Sequence, residues 1–212
     1  MKRLSYCLAL LLALAISTPV FAQNVASQKA YFGSSSTEIL GPAGDRILHG
    51  YIKTSGVGDL LIGVSMECAL WTRTITKVTK GGSTATSSSR AAVNVTVKIN
   101  GNEAVPGQVV YCDREQIVSL TFSSLTVEIT DSITLDLWLK TKNANHFNFY
   151  GLNPGSGVHH IEVFADSIVQ ADADTPSDST RAVVGKRTLV IEEINNPQFV
   201  SVPPSPLFEK RF

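Results

Sequence analysis

Four histidines, a cluster of aspartates, three cysteines and two tryptophans set among charges are the residues of this chain whose types could do chemistry. His159 and His160 are adjacent. On a strand, neighbours point to opposite faces, so the pair is poorly placed to ligate one metal. His159 is in phase with Ile161 and Val163, which puts it at the edge of a core. His160 is in phase with Glu162 and reaches toward solvent. His49 and His146 complete the set, and no metal-ligand spacing connects the four. The pattern predicts structural and surface histidines.

Asp172, Asp174 and Asp178 crowd one segment, with Asp166 nearby. Several hard oxygens on a loop are what calcium takes. Pro176 stands where a third ligand belongs and no glycine follows, so the segment reads first as a solvated acidic loop and only weakly as a cation site. The tryptophans are the sharper candidates. Trp138 has Asp136 and Lys140 as neighbours in phase, and Trp71 shares its phase with Glu67 and Arg73. A tryptophan on the polar face of a strand can be a sugar-stacking platform or an interface anchor; the alternative is packing beneath a loop or tail. Trp71 and Trp138 are therefore the expected ligand-binding residues. Asn94-Val95-Thr96 is a glycosylation sequon, relevant only in a source that performs that chemistry. No Gly-x-Ser-x-Gly elbow is present. Glu128, Asp136, Glu162, Glu192 and Glu193 are outward by phase, and a glycosidase-like carboxylate pair among the acidic residues stays open as an alternative.

The compartment follows from the N-terminus. Lys2 and Arg3 precede an apolar run over residues 4–16, and Val20-Phe21-Ala22 ends it. This predicts a signal peptide over 1–22, cut after Ala22, and a secreted or periplasmic product. The run is shorter than the roughly 20 residues of a spanning helix, and no later run is long enough. Cys7 lies too early to become a lipid-modified N-terminus. Residues 23–212 carry 16 basic and 18 acidic side chains. That balance gives no footprint for nucleic acid and no polybasic run for anionic membranes. No cofactor is implied.

Two cysteines remain beyond the leader. Cys68 shares a strand face with Leu60, Ile62, Val64, Met66 and Leu70, and Cys112 is in phase with Val110. Both thiols should point into a core, and an oxidising compartment predicts a Cys68–Cys112 disulfide between sheets.

The elements that must position these residues are strands. Segment 23–44 is small and polar and reads as a lead-in arm with a short strand. Residues 47–54 alternate. Residues 60–78 are long for one strand, and a bulge or bend is expected near 71–76, where the apolar phase fades into threonines. Residues 80–90 are rich in Gly, Ser and Thr and read as a flexible loop. Val93, Val95, Val97 and Ile99 alternate up to Asn100-Gly101, a type I′ hairpin dipeptide. A short return strand should follow, interrupted by Pro106-Gly107. Residues 108–112 read as a strand ended by Asp113 and Arg114, followed by strands over 117–122 and 125–130. Ile133, Leu135, Leu137 and Leu139 alternate with polar residues and Trp138, and 143–150 is aromatic and extends the pairing. Strands are expected over 157–170 and 182–194, with the acidic loop over 171–179. Prolines make 196–212 a tail. No stretch has a helical period and no internal repeat occurs.

The fold class is therefore all-β: an antiparallel β-sandwich, immunoglobulin-like or jelly-roll, of about eight strands over 45–195. The segment Gly155-Ser156-Gly157-Val158-His159-His160-Ile161-Glu162-Val163 resembles the turn and Gly-x-His-x-Ile-x-Val strand near the end of bacterial immunoglobulin-like and fibronectin-III-like modules. The resemblance implies a sandwich and carries no functional residues. The function expected is non-catalytic binding or assembly outside the cytoplasm, with an extracellular protein or glycan as partner. The alternatives are a carboxylate-based hydrolase and a fibre subunit donating its 23–44 arm. A small outer-membrane barrel fits least: Phe212 suits one, but Lys210 and the prolines break the closing alternation.

Overall fold

The structure, a computed structural model, describes residues 29–54, 56, 58–79, 84–122, 132–173, 175–176 and 179–194. The leader and its cut after Ala22, the strand expected over 125–130, Asp174, Asp178 and the 196–212 tail lie outside these residues.

The described residues form ten strands: β1 (Lys29–Ser34), β2 (Glu38–Ile39), β3 (Asp45–Thr54), β4 (Asp59–Thr79), β5 (Thr84–Ile99), β6 (Asn102–Glu103), β7 (Val109–Thr121), β8 (Ser132–Gly151), β9 (Gly157–Ala171) and β10 (Arg181–Ile194). Setting aside the two-residue β2 and β6, eight strands remain. They make two antiparallel sheets: a front sheet in the order β1-β10-β4-β8, with β2 also on β10, and a back sheet in the order β3-β9-β5-β6, with β7 also on β5. The long strands pair in a nested series, β1 with β10, β3 with β9, β4 with β8 and β5 with β7. Of the two sandwich topologies expected, this nesting is the jelly-roll one. Within the segment read as an arm, β1 and β2 are already laid on β10.

Alternation builds the core. Leu60, Ile62, Val64, Met66 and Cys68 of β4 are buried against Val93, Val95 and Val97 of β5 and Ile161 and Val163 of β9. Cys68 and Cys112 form a disulfide that ties β4 of the front sheet to β7 of the back sheet. Its 44-residue separation corresponds to about 4 kcal/mol of lost unfolded-chain entropy. The Asn100-Gly101 turn has both residues at positive φ (51° and 87°) and returns into the two-residue β6, as the dipeptide predicts.

Three local expectations are corrected. Residues 84–90 are not a loop but the first half of β5. β4 runs without a bulge near 71–76 and pairs with β8 without interruption from Leu60 to Thr79; the register shift in its other pairing lies in β10, between Val184 and Arg187. Asp113 and Arg114 do not end a strand, because β7 continues to Thr121. The first two have one cause. Beyond Leu70 the space between the sheets is filled by hydroxyls rather than hydrocarbon. Thr72, Thr74 and Thr76 of β4 are fully buried. Thr72 Oγ1 donates to Gln116 Oε1 at 2.8 Å, Thr74 Oγ1 and Ser89 Oγ share a bond of 2.7 Å, and Thr76 Oγ1 donates to the Val118 carbonyl at 3.4 Å. The period of two persists, carried by Ser and Thr. Asp113 points outward and takes two hydrogen bonds from Arg90 on β5 (3.0 and 2.6 Å), so a charge inside the strand costs little.

The two open sides of the sandwich end differently. On the β1–β3 side, the Phe32 ring packs over Gly50, where a Cβ would stand 2.2 Å from Phe32 Cε2. Arg187 reinforces that side. Its side chain is buried, Nε donates to the Ile47 carbonyl at 2.9 Å, Nη1 donates to the Ser36 carbonyl at 2.9 Å, and Nη2 pairs with Glu38. On the β8 side, Leu135, Leu137 and Leu139 lie on the inner face, level with Thr76, Thr74 and Thr72 of β4. They remain 37–44 % exposed.

A buried hydroxyl pair predicts a particular non-additivity. Thr74→Val strands the Ser89 hydroxyl and should cost about 1–3 kcal/mol. Adding Ser89→Ala should recover part of that loss, because both polar partners are then gone. Urea unfolding of the two single variants and the double variant reads this directly; strict additivity would contradict the paired-hydroxyl interior.

Candidate functional site

The outer face of the front sheet brings the two tryptophans together. β4 and β8 pair Trp71 with Lys140 and Arg73 with Trp138, and β10 places Arg181 opposite Trp71. Thr72 and Thr74 are buried, so Trp71 and Arg73 point outward together with Lys140 and Trp138. The indoles are diagonal neighbours, a relation that typically spans about 7–8 Å. Each lies under cations. The Arg73 guanidinium is 4.7 Å from the Trp138 ring centre, Lys140 Nζ is 4.7 Å from that of Trp71, and Arg181 is 5.1 Å from the Trp71 ring. Trp138 is 53 % exposed, on the polar face its phase predicts.

Carboxylates fix part of this array. Arg73 grips Asp136 with two parallel bonds, Nε to Oδ1 at 2.9 Å and Nη2 to Oδ2 at 2.7 Å. Those bonds hold the Asp136 carboxyl below its ordinary pKa, with a smaller contribution from Trp138. Lys142 does the same for Glu67, at 2.9 Å. Lys140 and Arg181 are directed at the Trp71 indole rather than at a carboxylate. The face thus offers one open indole and two cations available to an acidic group.

The other candidates are dispersed. Asp172 accepts a hydrogen bond from the Ser88 backbone N–H; Asp174 and Asp178 lie outside the described residues. Among the described residues no group of three His, Cys, Asp or Glu side chains is placed to hold a metal. His159 is buried at the core edge. Its Nδ1 accepts from Asn100 Nδ2 at 3.1 Å, so Nε2 carries the proton toward Thr54 Oγ1 (2.9 Å) and the Gly155 carbonyl (3.1 Å). It is a structural clasp between two turns and the end of β3. His160 stacks on Tyr51, with ring centres 4.6 Å apart, and His49 meets it edge-on at 5.9 Å. Glu162 beside them is held below its ordinary pKa mainly by Arg46, which donates at 2.9 Å. His146 is a surface residue bonded to Ser65 and Asn148. Asn94 is buried and its Nδ2 donates to Asp166 at 3.0 Å, so the nitrogen a glycan would need is engaged in the fold.

Three concave sites bear on hydrolysis. A groove of about 520 Å³ is lined by Ser34, Ser65, Glu67, Asn145 and Arg187. A second, of about 330 Å³, is lined by Asn100, Glu103, Tyr150 and Asn153. A third, of about 170 Å³, lies beside Glu67, Trp71 and Lys140. Each holds a single carboxylate among the described residues. Every carboxylate with a resolved shift moves downward, as an ion-paired group does, and not upward as a general acid needs.

Sequence reasoning missed Arg187. The signal was its phase, since after the bulge it falls in line with Leu189 and Ile191, where an arginine is out of place unless bonded. It also missed Gln116, which is buried with Nε2 unpaired among the described residues.

No protein-family model matches this chain, and no curated protein matches it. Among solved structures, it is similar to the infectious bursal disease virus VP2 subviral particle at 14 % identity and a TM-score of 0.21, over 80 % of this chain and 42 % of that one. An infectious bursal disease virus T13 particle gives 13 % identity and a TM-score of 0.20, over 80 % and 40 %. The chain spans about 40 % of the length of those particle chains. A likeness of this size carries no argument about function.

A carboxylate held low by a folded partner contributes stability that is present above its unfolded pKa and lost as pH falls through the folded value. Trp138 emission, read in a Trp71→Phe background, should hold steady from about pH 7 to about pH 4 and change only below the ordinary aspartate range. Asp136→Asn should shift that emission already at neutral pH. A midpoint at or above the ordinary aspartate value would contradict the Arg73–Asp136 clamp.

Proposed function

We propose that this chain is an exported, non-catalytic β-sandwich that acts in binding or assembly outside the cytoplasm, and that it makes contact through the Trp71–Trp138 face. The observation that carries the reading is that face itself: an exposed indole among cations, on the outer side of the front sheet. A tryptophan so placed offers a partner a rigid ring with one apolar face and one polar handle. Its chemistry suits a sugar ring stacked on Trp138, with an acidic substituent reaching Lys140 and Arg181.

The export signal expected from the N-terminus supports the compartment. So does the Cys68–Cys112 disulfide, since such bonds persist in oxidising surroundings. Among the described residues, no helix is long and apolar enough to cross a membrane. A single carboxylate in each groove, with Glu67 paired to Lys142, weighs against the hydrolase alternative. Strand donation by the 23–44 segment would first have to release β1 from its own β10, across the six-residue register from Lys29 to Ser34.

An array of acidic and neutral glycans, probed with the purified protein, tests the reading. Binding should favour acidic glycans and fall about tenfold or more in the Trp71→Ala/Trp138→Ala variant, the effect of removing one good stacking or cation–π interaction. Binding that the double variant leaves unchanged would remove this face from the proposal.

A further inference from the structure

Among the described residues, β8 ends the front sheet with an open edge. β8 bonds β4 along one side. Along the other, among the described residues, it makes a single bridge, Val105 to Tyr150, and two ties toward β7, Asn145 Nδ2 to the Tyr111 carbonyl at 2.5 Å and the Phe147 backbone to the Tyr111 hydroxyl. Among the described residues, 132–144 therefore present a row of unpaired backbone groups, roughly 40 Å long at 3.3 Å per residue. On the inner face the same stretch leaves Leu135, Leu137 and Leu139 part exposed. A long, unbulged edge with an apolar inner face is a template for another strand, and natural proteins that stay monomeric blunt such edges with lysines, proline, bulges or inward charge. β8 has no proline, and its pairing with β4 shows no bulge.

We propose that two copies of this chain pair edge to edge through β8, antiparallel, about a two-fold axis at Trp138. The register follows from the strand itself. Residues 132–144 are centred on 138, so a symmetric pairing there uses the whole free stretch and stops at the Asn145 tie. In that register Asp136 of one copy faces Lys140 of the other, twice. Leu137 faces Leu139, twice. Lys142, which would otherwise guard the edge, faces Thr134, and Trp138 faces its own copy. Moving the axis by one residue, to Leu137, sets Asp136 against Trp138 and Lys140 against Thr134, and the charge pairing is lost. Opposite charges and apolar pairs directly across an antiparallel ladder are the stabilising combinations. A C2 contact also closes on itself, so the β8 edges of both copies are used and no third copy is recruited through them. The inference does not depend on what the tryptophan face binds, but it bears on it: the front sheets of two copies would join, and two Trp138 platforms would lie side by side.

The experiment uses the purified protein in three measurements. Sedimentation equilibrium should give a dimer. Asp136→Lys should weaken dimerisation about tenfold, since two attractive pairs become repulsive, and the double variant D136K/K140D should restore it. In the third, Trp138→Cys should oxidise to a symmetric disulfide-linked dimer, because only residues directly opposite bring Cβ atoms within about 5.5 Å. Leu135→Cys should not, because it faces Thr141. Far-UV circular dichroism confirms that each variant is folded. A wild-type monomer at every concentration would overturn the proposal. So would a dimer in which Leu135→Cys cross-links and Trp138→Cys does not, or a folded D136K/K140D that stays as weak as D136K.

Discussion

A strand inside a sheet has its amides and carbonyls bonded on both sides; a strand at the edge has half of them unmet. That constraint shapes this molecule more than any single side chain. β4 lies between β10 and β8, and β5 between β9 and β7, so these two central strands have partners on both sides. The edges are treated unequally. β1 and β3 meet across the side of the sandwich, with Phe32 seated on Gly50 and the Arg187 guanidinium bonded to the β3 backbone. Among the described residues, β8 has nothing comparable over 132–144, and there the leucines of the inner face stay part exposed. Closure on one side and an open ladder on the other give the fold a direction, and they turn a packing question into one of association.

The interior changes character along the same strands. Near the disulfide it is close-packed hydrocarbon. Beyond Leu70 it becomes a ladder of paired hydroxyls, Thr72 to Gln116 and Thr74 to Ser89. Hydroxyl pairs contribute less to burial than leucines do, but each buried one must keep its partner. This end therefore gains specificity of register more than raw stability. It also supports the outer face, because the alternate residues of the same strands, Trp71, Arg73 and Trp138, can point outward only if Thr72 and Thr74 stay in. The clamp of Arg73 on Asp136 holds that outer row in place.

Much of this was legible in the sequence where the signal is local. A period of two in Leu60 to Leu70 and in Val93 to Ile99 marks core strands, Asn100-Gly101 marks the hairpin, and the shared phase of Cys68 with its apolar neighbours points it at the interior. The outward phase of Trp71 and Trp138 was equally readable. Their adjacency was not, because it depends on the β4–β8 register across more than sixty residues of chain, and long-range register leaves no mark on composition. Residues 84–90 failed for the opposite reason. Their composition says loop while their alternation says strand, and buried threonines opposite them let alternation win. Arg187 went unseen because a bulge moved it into the apolar phase, and a bulge is set by the partner strand.

The open β8 ladder can be observed amide by amide. Hydrogen exchange, followed at increasing protein concentration, should show alternate amides of residues 132–144 becoming slow, while those bonded to β4 stay slow throughout and those of 145–151 do not change. Protection that is independent of concentration, or fast exchange of the outward amides at every concentration, would contradict the account, because the edge would then be either covered within one chain or never used.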